Sequence, residues 1–241
     1  MGKTKRNVYL NPRRGEKQSF DVALACEEWS KVFGANKNIF RTTPSMIDSL
    51  KPVQLRILYC LYMSDNHGMK NRKSAAVTGE VMGKYHPHGD ASIYESIVKM
   101  CQPWKNHITL LDGHGNFGSI AGDSAAAMRY TEVKMSKFAM DCFFSDFERT
   151  NIPTRETYTG DSTEPIYLPS KYPVILFNPS FSGIGFGLAS NIPPFNPKEV
   201  MDATITLIRD KKAKIRLIPD SPTGCDIIDT GYFDQINKTG K

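Results

Sequence analysis

Residues 74–102 read SAAVTGEVMGKYHPHGDASIYESIVKMCQ. Two amphipathic runs flank a rigid turn. Residues 74–84 have helical spacing of apolar side chains. The turn Tyr85-His86-Pro87-His88-Gly89 ends that run, because proline biases the residue before it away from the helical region. Asp90 is a natural N-cap for a further helix over residues 91–102. Upstream, residues 53–63 (VQLRILYCLYM) form a strongly apolar helix, followed by the polar loop SDNHGMKNRK. Downstream, residues 108–111 read as a strand, and the Gly-rich DGHGNFGS that follows reads as a tight hairpin or loop. Residues 131–144, TEVKMSKFAMDCFF, are helical in period.

Three helices followed by a β-ribbon make the pattern of a winged helix, a helix-turn-helix variant that can lay one helix in a DNA major groove. On its upstream side, residues 20–33 are predicted helical, and Pro44 and Pro52 bracket a short segment. Residues 1–17 hold six basic residues and one acid, Glu16, and read as a flexible arm. After about residue 155 prolines punctuate short β-like runs, EPIYLPSKYPVILF and SGIGFGLASNIPPF, before one helix, PKEVMDATITLIRD. The predicted class is therefore mixed α/β of the α+β type. A basic arm and helix (1–38) precede a winged-helix domain (39–155) and a second, mixed domain (156–241).

Composition narrows the function classes. The 241 residues are 40% hydrophobic, enough for one large domain or two smaller ones. Net charge is +6, and residues 1–100 hold 16 Lys+Arg against 9 Asp+Glu while the rest hold 15 against 16. A basic half beside a near-neutral half suits a polyanion on one face, or a plain solvated surface. Five cysteines with no close pair argue against a disulfide framework or zinc ribbon and suit a reducing compartment. No apolar run approaches the ~20 residues needed to span a membrane, and the N-terminus lacks the apolar core of a signal peptide.

Residues 112–132, DGHGNFGSIAGDSAAAMRYTE, are the most informative for chemistry. Gly113-x-Gly115-x-x-Gly118 matches the letters of a dinucleotide-binding fingerprint, which would make the chain an oxidoreductase. That fingerprint opens a βαβ unit with an acidic residue about 20 positions on. The next stretch is helical in period, so a flexible hairpin is better supported. A phenol with a pKa of about 10 needs a base or nearby positive charge to act as a nucleophile. Arg129 beside Tyr130 can stabilise charge on a phosphate in a transition state, although an isolated Arg-Tyr pair is ordinarily structural. His86, His88 and Asp90 suit either metal ligation or a turn that presents imidazoles and backbone N–H groups to a phosphate. Ile184, between Gly183 and Gly185 in SGIGFG, is either a core residue in a tight turn or an exposed wedge that kinks DNA at a base step.

Taken together, KPVQLRILY (51–59), KSAAVTGEVMGKYHPHGDASIYESIVKMCQP (73–103), LLDGHGNFGSIAGDSAAAMRYTE (110–132), SGIGFGLASNIPPFN (182–196) and PDSPTG (219–224) resemble, in order, the A subunits of DNA gyrase and bacterial topoisomerase IV. The resemblance implies a type IIA topoisomerase that breaks and rejoins DNA through a transient 5′-phosphotyrosyl link. It makes Tyr130 the nucleophile, Arg129 its transition-state arginine, and His86 and His88 the active-site turn. Arg41, Lys51, Arg56 and Lys84 become DNA contacts, and Ile184 the intercalating wedge. It places the acidic metal site outside this chain, with Mg²⁺ and ATP supplied through a B-type partner subunit. The expected assembly is a homodimer within a heterotetramer on double-stranded DNA, in the cytoplasm of a bacterium or of a virus-infected cell. The second domain becomes the first part of a tower, with the remaining tower and gate expected from a separate polypeptide. A non-catalytic DNA-binding and bending fragment of a split topoisomerase is the alternative. The chain departs from the family pattern at Gln54-Leu55, where basic residues are usual, at Met46-Ile47 for a Val-Arg pair, and at Ala91 for Ser.

The basic excess in residues 1–100 predicts that phosphate contacts dominate DNA affinity. Each neutralised phosphate adds about −0.9 to the slope of log K against log salt. Binding measured across a salt series is therefore expected to weaken steeply, and a flat profile would reduce these residues to ordinary surface charge.

Overall fold

The computed structural model describes residues 21–178, 183–228 and 231–239. The basic arm expected over residues 1–17 lies outside them, as does Ser182 of the SGIGFG motif. The protein is α+β. Helix α1 (Val22–Lys37) starts at Asp21, whose carboxylate accepts from the N–H groups of Ala23 and Leu24. It runs on into a π-helical turn, Asn38–Thr42. Helix α2 (Pro52–Tyr62) opens with proline at a position that needs no N–H. The Gln54 side chain accepts from the Lys51 N–H at 2.9 Å, and Leu55, Ile57, Leu58, Cys60, Leu61 and Tyr62 are all buried.

Around this buried helix pack α3 (Ser74–Lys84) and α4 (Asp90–Cys101). Ile93, Ile97 and Met100 recur on one face of α4 and are fully or almost fully buried. An antiparallel sheet closes the core in the order β1-β3-β2, from β1 (Arg72–Lys73), β2 (Leu111–His114) and β3 (Glu132–Met135). The three helices and the following β-ribbon are as expected, and β1 adds a strand between α2 and α3 that was not expected.

Four local expectations are corrected. The strand expected over 108–111 begins instead at Leu111, because the Asn178 side chain occupies the backbone N–H and carbonyl of Ile108. The Gly-rich stretch is no tight hairpin: Asp112, Gly113 and His114 continue β2 and pair with Lys134, Val133 and Glu132. Residues 115–131 form the long connection to β3. The helix expected over 131–144 starts as a strand, since Val133 and Met135 alternate inward while Glu132 and Lys134 are part-exposed. Only then do a short helical turn, Lys137–Ala139, and a π-helical turn, Met140–Phe144, follow. Finally, Gly89 caps α4, and Asp90 is its first helical residue, with its carboxylate accepting from the Ala91 N–H.

Downstream, β4 (Thr154–Glu156) pairs with β5 (Thr163–Pro165), and β6 (Gly183–Ile184) with β7 (Ala189–Ser190). Helices Pro197–Arg209 and Tyr232–Thr239 complete the described chain. Leu168, Val174, Phe177, Phe195 and Val200 join the same buried cluster as α2, α3 and α4. Among the described residues no helix is long and apolar enough to cross a membrane.

Asp48 ties the two regions together. Its carboxylate is fully buried and accepts from the N–H groups of Leu50 and Leu168, both at 2.9 Å. Burial pushes its carboxyl up to about 6, against the opposing effect of those N–H bonds. Asp48→Ala leaves both donors unsatisfied, and a loss on the order of 3 kcal/mol in urea unfolding is expected. Because the folded pKa is raised, the contribution of Asp48 is full below the ordinary value of about 4 and falls as pH rises through 6. The loss should be larger at pH 5 than at pH 8. A change within about 0.5 kcal/mol at both would show that the tie contributes nothing.

Candidate functional site

Tyr130 lies at the end of the long β2–β3 connection and is 64% exposed. Its neighbour Thr131 is fully buried and anchors it. The Thr131 hydroxyl donates to Ser74 Oγ at 2.8 Å and lies 3.0 Å from the Tyr94 hydroxyl, which donates to the Ala126 carbonyl at 2.6 Å. The Ser74 and Ala75 N–H groups, at the start of α3, donate to the carbonyls of Thr131 and Met128. The connection is thus fastened to α3 and α4 on both sides of an exposed phenol. The Arg129 guanidinium sits 4.6 Å from the centroid of the Tyr130 ring.

The α3–α4 turn presents the two imidazoles. His86 is 3% exposed, and its ring centroid lies 4.3 Å from that of His88. Arg56 on α2 holds His86, with Nη1 2.8 Å from Nδ1. Burial, and after it the positive charges of Arg56, His88 and Arg41, push His86 down to about 3. His86 is therefore neutral at physiological pH. His88 is lowered too, by burial first and then by Arg41, Lys37 and Arg56. Its Nδ1 is buried with no protein partner.

The other predicted contacts divide by environment. Arg41 is exposed on the π-helical turn. Lys84 is half-exposed and pairs with Glu80 at 2.8 Å. Lys51 is part-buried, and burial, then Lys99, lowers its ammonium. Arg56 differs from all three. Its side chain is 13% exposed and is engaged by Glu164, so its role is to hold other groups rather than to meet solvent. At the altered basic cluster, Gln54 caps α2 and Leu55 enters the core.

Ile184 is 86% exposed at the tip strand of the β6–β7 hairpin, which removes the core reading. Asn38 clamps this hairpin: its amide donates to the Phe186 carbonyl at 2.9 Å, and its Oδ1 accepts from the Phe186 N–H at 2.7 Å. Phe33 of α1 meets Phe186 edge-on at 5.8 Å. Gly183 permits close seating, since a Cβ there would come within 2.6 Å of the Thr42 carbonyl and 3.3 Å of Lys51 Nζ.

The fold thus gathers Arg41, Arg56, His86 and His88 into one group, and sets Lys51 against the Ile184 hairpin. Arg129 is not among the charges that act on either imidazole. Sequence reasoning missed Asn38, Tyr94, Thr131, Arg155 and Glu164, whose partners lie as far as 148 residues away.

Three helices and a β-ribbon thus carry an imidazole turn and an exposed Arg-Tyr pair on one α+β fold. Residues 41–241 match the family of DNA gyrase/topoisomerase IV A subunits, and the chain belongs to that family. It is 43% identical over 210 residues to the DNA gyrase A subunit of Buchnera aphidicola subsp. Baizongia pistaciae, covering 84% of this chain and 25% of the relative. The DNA gyrase A subunit of Halalkalibacterium halodurans is 42% identical over 212 residues, with the same two shares. That of Metamycoplasma arthritidis is 42% identical over 231 residues, covering 93% of this chain and 26% of the relative. The chain spans about a quarter of the length of these curated relatives.

Asn38→Ala removes both hydrogen bonds to Phe186 at once. The Phe186 amide is expected to exchange its hydrogen about tenfold faster, as loss of roughly one hydrogen bond implies, while amides of α2 keep their protection. Unchanged exchange at Phe186 would mean that packing, not Asn38, holds the hairpin.

Proposed function

We propose that this chain supplies the DNA-breaking and rejoining part of a type IIA topoisomerase, within its A-type half. The observation that carries the reading is Tyr130, an exposed phenol rigidly anchored through Thr131 and faced by Arg129, in a chain of this family. The Tyr130 oxygen attacks a backbone phosphorus and forms an O–P bond. The bond from phosphorus to the deoxyribose 3′ oxygen breaks, the phenol gives up its proton, and the departing oxygen leaves as a hydroxyl. The DNA 5′ end remains joined to Tyr130. Rejoining is the reverse, so the linkage conserves the phosphodiester and the two steps need no ATP.

Arg129 stabilises charge on the phosphoryl oxygens, where a fixed cation is most effective in the transition state. His86, neutral at physiological pH, donates a hydrogen bond without changing charge, and His88 lies beside it. Arg41, Lys51 and Lys84 supply charge for the DNA backbone. Ile184 fits a wedge that bends DNA, recovering a few kcal/mol of unstacking through wider contact. The segment from residue 156 onward is read as the start of the tower.

Family membership further implies Mg²⁺ and ATP brought by a B-type partner, a second copy of this chain, and a cytoplasmic setting. Among the described residues no group of three or more His, Cys, Asp or Glu could hold a metal ion.

Tyr130→Phe removes one exposed hydroxyl and is expected to abolish covalent protein–DNA adducts while leaving DNA binding nearly intact. Detergent trapping after incubation with plasmid, Mg²⁺ and a B-type subunit measures this. Adducts that persist in the mutant would rule out this tyrosine.

A further inference from the structure

Glu164 belongs to β5, more than a hundred residues after α2, and is 1% exposed. Two guanidiniums converge on its carboxylate. Arg56 grips both oxygens, with Nε to Oε2 at 2.8 Å and Nη2 to Oε1 at 2.7 Å, and Arg155 Nε donates to Oε1 at 2.8 Å. A bidentate fork fixes the plane of the Arg56 head as well as its position. The remaining nitrogen, Nη1, meets His86 Nδ1 at 2.8 Å. A guanidinium has only donors, so Nδ1 accepts and the ring hydrogen resides on Nε2. The other charged or titratable groups acting on the ring, His88 and Arg41, also oppose its protonation, and no carboxylate counters them.

We propose that Glu164 is a positioning residue for DNA cleavage: it clamps Arg56, and clamped Arg56 fixes His86 as the neutral tautomer with hydrogen on Nε2. The proposal rests on the reading of His86 given under Proposed function. A buried ion pair does little for net stability, because desolvation offsets the attraction. The geometry here has a different consequence: it removes a choice from the imidazole. A ring free to place its hydrogen on either nitrogen offers a phosphate oxygen a donor only part of the time. Glu164 also makes the site depend on the β4–β5 hairpin, so the imidazole is set only when that hairpin is docked.

The test is nitrogen NMR of the histidine side chains in the ¹⁵N-labelled chain, with His86 assigned by its loss in His86→Gln. His86 Nδ1 is expected to be unprotonated and Nε2 protonated from pH 5 to pH 8. In Glu164→Gln the two nitrogens should move toward the averaged values of mixed tautomers. The double variant Arg56→Met/Glu164→Met replaces buried ions by apolar chains, a change folds tolerate well. It should also raise the ring from about 3, while burial, His88 and Arg41 still hold it below its ordinary value. In parallel, Glu164→Gln should slow adduct formation by up to about a hundredfold, the cost of a small misplacement, with DNA affinity unchanged. A wild-type His86 that is charged, or protonated on Nδ1, at pH 7 would overturn the proposal. So would a wild-type spectrum in the double variant. If the tautomer is freed but adducts form normally, the catalytic reading of His86 fails. If the tautomer holds while adducts slow, the clamp fails and that reading survives.

Discussion

The Arg56 guanidinium, set in the most buried helix of the molecule, is the constraint around which the rest is arranged. A cation that is 13% exposed is costly to hold in an apolar core without a partner. Glu164 is that partner, and it comes from a hairpin far downstream. The hairpin must therefore lie against α2, which brings Leu168 into the core four residues later. Asp48 repeats the logic with a lone carboxylate and two backbone donors, one of them Leu168 itself. Two buried charges thus decide how the later segment meets the helices, where apolar packing alone would leave several arrangements near in energy.

A second regularity concerns the exposed groups. Tyr130 and Ile184 are each fixed by a buried polar neighbour. Tyr130 stands next to Thr131, which is held in a network with Ser74 and Tyr94. Ile184 projects from a hairpin whose backbone is held by Asn38, itself 9% exposed. Hydrogen bonds are directional where apolar contacts are not, and precise placement of a reactive group needs that direction. In the proposed function the exposed residue does the chemistry or the contact, and the buried neighbour supplies the orientation.

Two of the departures from the family pattern, Gln54 and Leu55, follow from burial. Gln54 and Leu55 stand where basic residues are usual, and both side chains turn inward, one as a cap and one as core. Charge lost there is charge that would have been costly to bury. Met46 and Ile47 are exposed, at 90% and 56%, so Ile47 puts an apolar side chain on the surface where the family pattern has Arg. Ser49 occupies positive φ, at 68°, a conformation that glycine adopts without strain.

The helices were legible from the sequence because helical periodicity, proline punctuation and capping act over a few residues. Residues 74–84 and the Pro52 start of α2 are examples, and the strings around Tyr130 and His86 carried the family with them. The strand at Glu132–Met135 was not legible, since its alternation lasts four residues and runs straight into helical turns. Nor was the true start of β2, which depends on Asn178 engaging Ile108 from 70 residues away. The chain alone named Tyr130, Arg129, His86 and Arg56 as candidates. Only the tertiary structure decided that Arg56 faces Glu164 rather than solvent, that His86 is buried and neutral, and that Ile184 is exposed. Burial and charge pairing are set by what lies opposite in space, and no local pattern records that.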